Sequence, residues 1–540
     1  MNKAVERGRQ ALARGGWEEA RACFEEALEG SQSAEAWEGL SWAAWWLEDG
    51  VRAIEARERA YGLYREAGDL RGAARVAIWL ANDHIDFRGE EAVAQGWFAR
   101  CERILEGLEP SPEHGWLAAL QGAMALEEGD TAAARRLGSQ ARELGRAWKL
   151  TDLEMVGVAT EGLALVSEGA LERGMRCLDE ATAAALGGEY EELQPVCWTC
   201  CNLIYACERV RDFDRAGQWC KKLEEFTERM RIQFVNGVCR AHYAAVLIWH
   251  GDWAEAEAVL VEARRSLASI RPFWVPEATV RLAELRRRQG RFDEADRLFA
   301  EAESHPLAVL GAAELCLDRG RVDGAIPLAE RILRQLPLEN RTQRAAAIEL
   351  IVRAQAVRGD PAAAADQLAE LRGVVELVST APLRAALSFC EGVTASGAGA
   401  RASLEDAVTL FRAAGAPFET ARARLALADC LAELGERDAA GREASAAREA
   451  FDELGAKHEA QRARGLLERP GRAERTGSPL SPREREVLRL VSDGLTDREI
   501  AARLVLSQHT VHRHVSNIYA KFDCSTRAAA VAKASRLGLL

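Results

Sequence analysis

Residues 480–540 read LSPREREVLRLVSDGLTDREIAARLVLSQHTVHRHVSNIYAKFDCSTRAAAVAKASRLGLL, and this stretch decides what the chain is built to do. Ser481-Pro482-Arg483-Glu484 combines a capping serine, a proline suited to the first helical position and a glutamate that reaches back to the cap. The helix it opens buries Val487, Leu488 and Val491 on one face and ends at Asp493-Gly494. Thr496-Asp497-Arg498-Glu499 repeats the capping logic, with Ile500, Ala501 and Leu504 turned inward. Ser507 then caps a third helix running to about Phe522. Two short helices joined by a few residues form a helix-turn-helix pattern.

The third helix divides into two faces. Val511, Val515, Ile518 and Phe522 fall on one apolar stripe. At roughly 100° per residue, His509, Arg513, Ser516 and Ala520 point the other way, flanked by His512 and Asn517. Such a donor-rich face suits the DNA major groove: Arg513 matches guanine O6 and N7, and Asn517 matches adenine. Thr510, Lys521 and Arg527 lie nearer the edges, where phosphates are met, and Thr496 at the second helix start is grouped with them. For any one of these residues the alternative is a solvated polar face on a small packing domain. A fourth helix is expected from Ser525 to about Leu537. Its small residues Ala528, Ala529, Val531, Ala532 and Ala534 would permit close approach by another helix.

PREREVL, GLTDREIA, TVHRHVSNIYAKF and STRAAAVAKA occur in order, and together they resemble the LuxR-type (GerE-like) DNA-binding domain over its whole length. The resemblance implies four helices, the third in the major groove and the fourth contributing to a dimer through Ala528, Val531 and Ala532. It makes His512, Arg513 and Ser516 base-facing, with Thr510 and Lys521 on the backbone. The chain departs from the family at His512, where lysine or arginine is common. That departure touches base preference at this position. His514 reads as a packing histidine.

The charge is uneven along the chain. The whole carries 71 Lys+Arg against 84 Asp+Glu, a net of −13. From Leu480 onward there are 10 basic and 6 acidic residues, leaving 61 basic and 78 acidic upstream. A positive tail on an acidic body suits a nucleic-acid module tethered to a scaffold that DNA repels. MNKAVERGRQALARGGW has no signal-peptide pattern, and the longest apolar run, Tyr243 to Trp249, is too short for a bilayer. A cytoplasmic protein without a membrane partner is expected.

The body is a repeat array. Gly15, Gly129, Gly169, Gly251, Gly290, Gly320, Gly359, Gly397 and Gly435 are each followed five positions later by alanine or glycine. Arg211 stands in for glycine before Ala216, and Gly50 to Ala53 and Gly89 to Ala92 read as shortened versions. The spacing of about forty falls within the range of helical solenoids. GDWAEAEAVLVEA and GRFDEADRLFAEA resemble the second helix of a tetratricopeptide repeat. Residues 411–444 resemble the repeat region of the MalT-like large LuxR regulators. Their ATP-binding module is not found: none of the seven lysines follows a glycine, so no P-loop is present.

The expected fold is therefore all-α: a tetratricopeptide-like solenoid of about eleven or twelve helix pairs over 1–467, a linker at 468–479, and a four-helix domain over 480–540. No catalytic constellation, cofactor motif or metal motif is found, so no enzyme is expected. Cys197-Trp-Thr-Cys200 has ligand spacing without a second pair, and the thirteen cysteines read as small buried hydrophobes. Trp37, Trp42, Trp45, Trp46 and Phe273-Trp274 read as packing anchors. The alternative is an aromatic groove for a peptide, small-molecule or protein ligand. Two functions compete: a DNA-binding regulator acting as a homodimer on double-stranded DNA, or a repeat scaffold without a specific operator.

Overall fold

The computed structural model describes residues 3–230, 233–303, 305–468, 480, 482–504, 506–522, 524 and 526–536. Among the described residues all regular structure is helical, and the chain forms two compact units. The first comprises Met1–Leu434 with Ala439–Ala463, the second Arg464–Leu540 with the short segment Gly435–Asp438. The expected linker lies outside the described residues except for Glu468, which closes the helix Lys457–Glu468.

Among the described residues the array comprises twelve successive helix pairs followed by one further helix, Lys457–Glu468. The first pair is Lys3–Ala13 with Trp17–Gly30, and the twelfth is Pro417–Glu433 with Arg437–Leu454. In most pairs a left-handed residue ends the first helix and a small residue five positions later lies in the contact with its partner. Eight of the nine glycines that lead the repeats behave this way, with φ between 72° and 95°. After them Ala20, Ala134, Ala256, Ala295, Ala325 and Ala364 are completely buried. The contacts they permit are close: a Cβ at Gly157 would lie 2.5 Å from the backbone nitrogen of Arg142 on the neighbouring helix.

Three segments correct the sequence reading. Glu48 takes the left-handed turn at φ 64° and Ala53 follows it five residues later, so this repeat is not shortened. After Gly89 the buried residue is Ala94, while Ala92 is exposed. Gly397 instead opens the helix Gly397–Ala413, where Ala400 is buried and Ala402 exposed. Arg211 does replace glycine, at φ 58°. Its guanidinium donates to Glu349 at 2.6 Å, which offsets the backbone strain of that conformation.

The array winds back on itself. Asn340 Nδ2 donates to Gly129 O at 3.1 Å, Thr380 Oγ1 to Val210 O at 2.8 Å and Trp249 Nε1 to Ala414 O at 2.9 Å. Between these contacts runs a buried charge network. Arg281 pairs with Glu208 at 2.8 Å and Glu277 at 2.7 Å, while Tyr205 donates to Glu277 and His305 approaches it at 3.1 Å. Arg353 holds Glu314 at 2.6 Å, and Arg288 meets Glu419 at 3.1 Å. Burial alone would raise the Glu419 carboxyl, but Arg422 and Arg288 hold it down at about 2. Removing one partner of such a pair strands the other in low dielectric.

The tryptophans turn on one another. Trp17 stacks on Trp46 at 4.8 Å, and Trp45 packs edge-on to Trp46 at 4.7 Å. Trp42 meets Trp79 at 5.0 Å, while Trp37 donates to Gln32. Arg57 lies 4.3 Å over Trp42, and Arg271 sits 4.3 Å from the Trp45 ring and 3.7 Å from Phe87. Their faces thus carry arginines of the array itself. Phe273 packs edge-on against Trp274 in the loop that presents Arg271. Cys197, Cys200, Cys220 and Cys239 share a hydrophobic cluster with Ile204, Leu223 and Phe226. Burial pushes the Cys220 thiol up to about 12, away from thiolate chemistry.

Lys149 ends the helix Thr131–Trp148 at φ 56° with an exposed side chain. A non-glycine residue there costs about 1–2 kcal/mol, part of which glycine's own chain entropy cancels. Lys149→Gly should therefore stabilise the protein by about 0.5–1 kcal/mol, read as a higher midpoint in denaturant unfolding.

Candidate nucleic-acid interface

Four helices make up the carboxyl-terminal domain: Pro482–Ser492, Asp497–Leu504, Gln508–Phe522 and Arg527–Arg536. They close around Val487, Leu488, Ile500, Val511, Val515, Ile518, Phe522, Ala530 and Ala534. The stripe read from the third helix is the buried one, with Val511, Val515, Ile518 and Phe522 at most 5% exposed. Since those residues are fixed inward, His509, His512, Arg513, Ser516 and Asn517 are all exposed, and Thr510 and His514 are half-buried. One exposed polar helix face is thus assembled from residues within nine positions of each other.

Local hydrogen bonds set the helix ends. Gly494 turns the chain at φ 84°. Thr496 N donates to Glu499 at 2.7 Å and Glu499 N donates to Thr496 Oγ1 at 3.4 Å, completing the reciprocal cap. The Thr496 backbone and hydroxyl hydrogen bonds lower the Glu499 carboxyl below its ordinary range. Ser507 accepts from Thr510 N at 3.1 Å at the head of the third helix. Ser481 and Ser525 lie outside the described residues. The fourth helix begins two residues later than expected, at Arg527, where Thr526 Oγ1 accepts from Ala529 N at 3.2 Å.

Several side chains hold the domain together in ways the sequence did not disclose. Lys521 donates to the buried Glu484 carboxylate at 2.6 Å, tying the third helix to the first. Arg527 meets Asp497 at 2.9 Å and also donates to Leu495 O, tying the fourth helix to the second. Both cations are engaged with groups of the domain itself, so a phosphate contact by either must share or release that pairing. Lys533 donates to Phe522 O at 2.6 Å and satisfies the end of the third helix. Arg483 donates to Leu504 O at 3.0 Å, bracing the turn that leads into it. The signal for these was only a charged residue near a helix terminus, and it does not name the partner.

Of the small residues on the fourth helix, Ala528, Ala529 and Ala532 are exposed and Val531 is half-buried. Ala534 is completely buried in the domain's own core, where the other helices approach it. A recess of about 560 Å³ between the first helix and the end of the second is lined by Arg485, Arg489, Arg503, Glu486, Asp493, Leu490 and Leu504. None of the candidate base-facing residues lines it.

This arrangement is a four-helix helix-turn-helix domain with one polar helix face presented to solvent. Residues 478–534 match the model of bacterial regulatory proteins, luxR family, so the carboxyl-terminal domain is of LuxR type. Its relatives include a putative HTH-type transcriptional regulator (Mb0914c) of Mycobacterium bovis, 47% identical over 79 residues, which are 15% of this chain and 9% of that one. The quorum-sensing regulator RhlR of Pseudomonas aeruginosa is 46% identical over 61 residues, covering 11% of this chain and 25% of that protein. The probable transcriptional regulatory protein NarL of Mycobacterium tuberculosis is 46% identical over 69 residues, or 13% and 32%. The match thus spans less than a third of the length of each of these relatives. Among solved structures, the Rap protein complexed with competence and sporulation factor has a TM-score of 0.48 at 10% identity, over 64% of this chain and 97% of that one. The APC/C hetero-tetramer Cut9–Hcn1 gives 0.43 at 14%, over 86% and 95%.

The reciprocal cap at Thr496 is exposed and independent of the core. Thr496→Ala should cost the domain about 1 kcal/mol, measurable by thermal unfolding of the full chain followed with a probe at Tyr519.

Proposed function

We propose that the chain is a sequence-specific DNA-binding transcriptional regulator, its third carboxyl-terminal helix reading the major groove. The observation that carries this reading is the exposed face of Gln508–Phe522, where Arg513, His512, Ser516, His509 and Asn517 stand together over a fixed core stripe. Arg513 reads a guanine through a bidentate pair, and Asn517 reads an adenine. Thr510 and Thr496 meet phosphates, with Lys521 and Arg527 adding positive charge from beneath. Two copies bind a pseudo-palindromic site through the fourth helices at Ala528, Val531 and Ala532. No helix among the described residues is long and apolar enough to cross a membrane. The protein acts in the cytoplasm, without catalysis of its own.

An operator selected from random DNA with the full chain tests this. Affinity for it should fall linearly against salt in logarithmic form, with a slope of about −0.9 per phosphate contacted. Arg513→Ala should weaken the operator by about 1–3 kcal/mol while leaving random DNA nearly unchanged. Equal loss on both would remove Arg513 from the reading set.

The helical array supplies control. Its acidic excess opposes the approach of a tethered domain to DNA, and a peptide, small-molecule or protein signal bound by the repeats relieves or organises that restraint. Removing residues 1–467 should change operator affinity or the fraction of dimer in sedimentation. If both stay as they were, the array does not govern DNA reading.

A further inference from the structure

Where the array winds back on itself, the meeting follows one rule. A turn between the two helices of an early pair is covered by a turn between two later pairs. At Gly129 the covering residues are Leu336, Pro337 and Asn340, and at Gly169 it is Leu377, all within 4 Å of where a Cβ would stand. Thr380 donates to the carbonyl of Val210 one repeat further on, and Gly251 lies under Pro417 and Leu454 in the same manner. Gly290 closes the run beneath His458, just past the twelfth pair. Two edges are thus in use. One consists of within-pair turns built on left-handed glycines, and the other of between-pair turns that lay mostly apolar side chains on them.

Each edge continues where the array places nothing opposite it. Gly320 and Gly359 are the next within-pair turns, left-handed at φ 72° and 82°. Among the described residues nothing lies within 4 Å of a Cβ built on either. Val357, beside Gly359, is 64% exposed. At the other end the between-pair turns at Gly68, Gly107 and Gly188 are equally bare among the described residues. The apolar side chains next to that edge, Leu70 and Trp148, are 37% and 45% exposed. The bare turns keep the one-repeat spacing of the covered ones, because the same helix pairs generate both edges. One end of the array therefore offers the glycine half of an interface, and the opposite end offers the half that covers it.

We propose that these two open edges bind each other between copies, the first between-pair turns of one chain covering Gly320 and Gly359 of a second. The occupant is a second copy because the glycine edge takes apolar side chains on loops one repeat apart. That need is met within the chain at Gly129, Gly169 and Gly251, and the same kind of loop is left over at Leu70 and Trp148. The two surfaces differ, so association is head to tail and continues past two copies. This contact is separate from the twofold one through the fourth helices, and it holds in the absence of DNA. Each particle then carries several carboxyl-terminal domains, which raises their local concentration at neighbouring sites.

Sedimentation of the full chain without DNA, over a wide range of concentration, tests this. The mass should climb past that of a dimer as the concentration rises. Trp148→Lys blocks the loop edge and Val357→Lys the glycine edge. Both positions are exposed and lie in the last turn of a helix, where a cation is favoured, so the fold should hold. Either change alone should raise the concentration for half-association by about tenfold or more, the scale of an interface anchor. Mixed together, the two variants should form 1:1 dimers and stop, since only one matched pair of edges remains. A chain that is monomeric at every concentration overturns the proposal. So does a dimer that neither substitution weakens, since that contact lies elsewhere, and so do variants that stay apart when mixed.

Discussion

How closely two helices approach is set by the side chain that stands between them, and this array depends on keeping that side chain small. Gly138, Gly157, Gly162 and Gly174 leave no room for a methyl group against the neighbouring backbone. Gly8 and Gly39 clasp the Phe24 ring in the same manner, and Gly311 receives Phe299. Helix axes drawn this near bury nearly all of the facing surface of each first helix, as in Thr151–Glu168. The array can then wind back upon itself, because first helices present both an apolar side to their partners and a charged side to the next turn.

That inward charged side is unusual in its degree of pairing. Arg287, Arg353 and Arg281 are almost fully buried, and each meets at least one carboxylate. Glu277, Glu284 and Glu314 consequently have carboxyls held below the ordinary range, although burial by itself would raise them. Such groups contribute stability above the ordinary carboxylate value and lose it as pH falls through the lowered one.

In the carboxyl-terminal domain the order of dependence runs from core to surface. Val511, Val515, Ile518 and Phe522 anchor one stripe, and the helix period then leaves Arg513 and Ser516 no orientation except outward. Ion pairs between helices refine the result. Glu484 with Lys521 ties the third helix to the first, and Asp497 with Arg527 ties the fourth to the second. They also engage Lys521 and Arg527, so a phosphate contact by either shares or releases an existing partner.

Periodic features were legible in the sequence because they are local. The left-handed turn after a helix, the small residue five positions later, the reciprocal cap at Thr496 and Glu499, and the apolar stripe of the third helix all arise within a few residues. Glu48 escaped notice because its turn is left-handed without a glycine, so no residue type marked it. Partners distant in sequence were not legible at all: Arg211 to Glu349, Arg271 to Trp45, and Asp497 to His512 join residues whose meeting depends on how helices stack. The sequence by itself determined the helices, most pair boundaries and the outward polar face, since backbone geometry and burial period act over one or two turns. Tertiary structure alone decided which charges are already paired, because electrostatic pairing depends on distances that only packing sets.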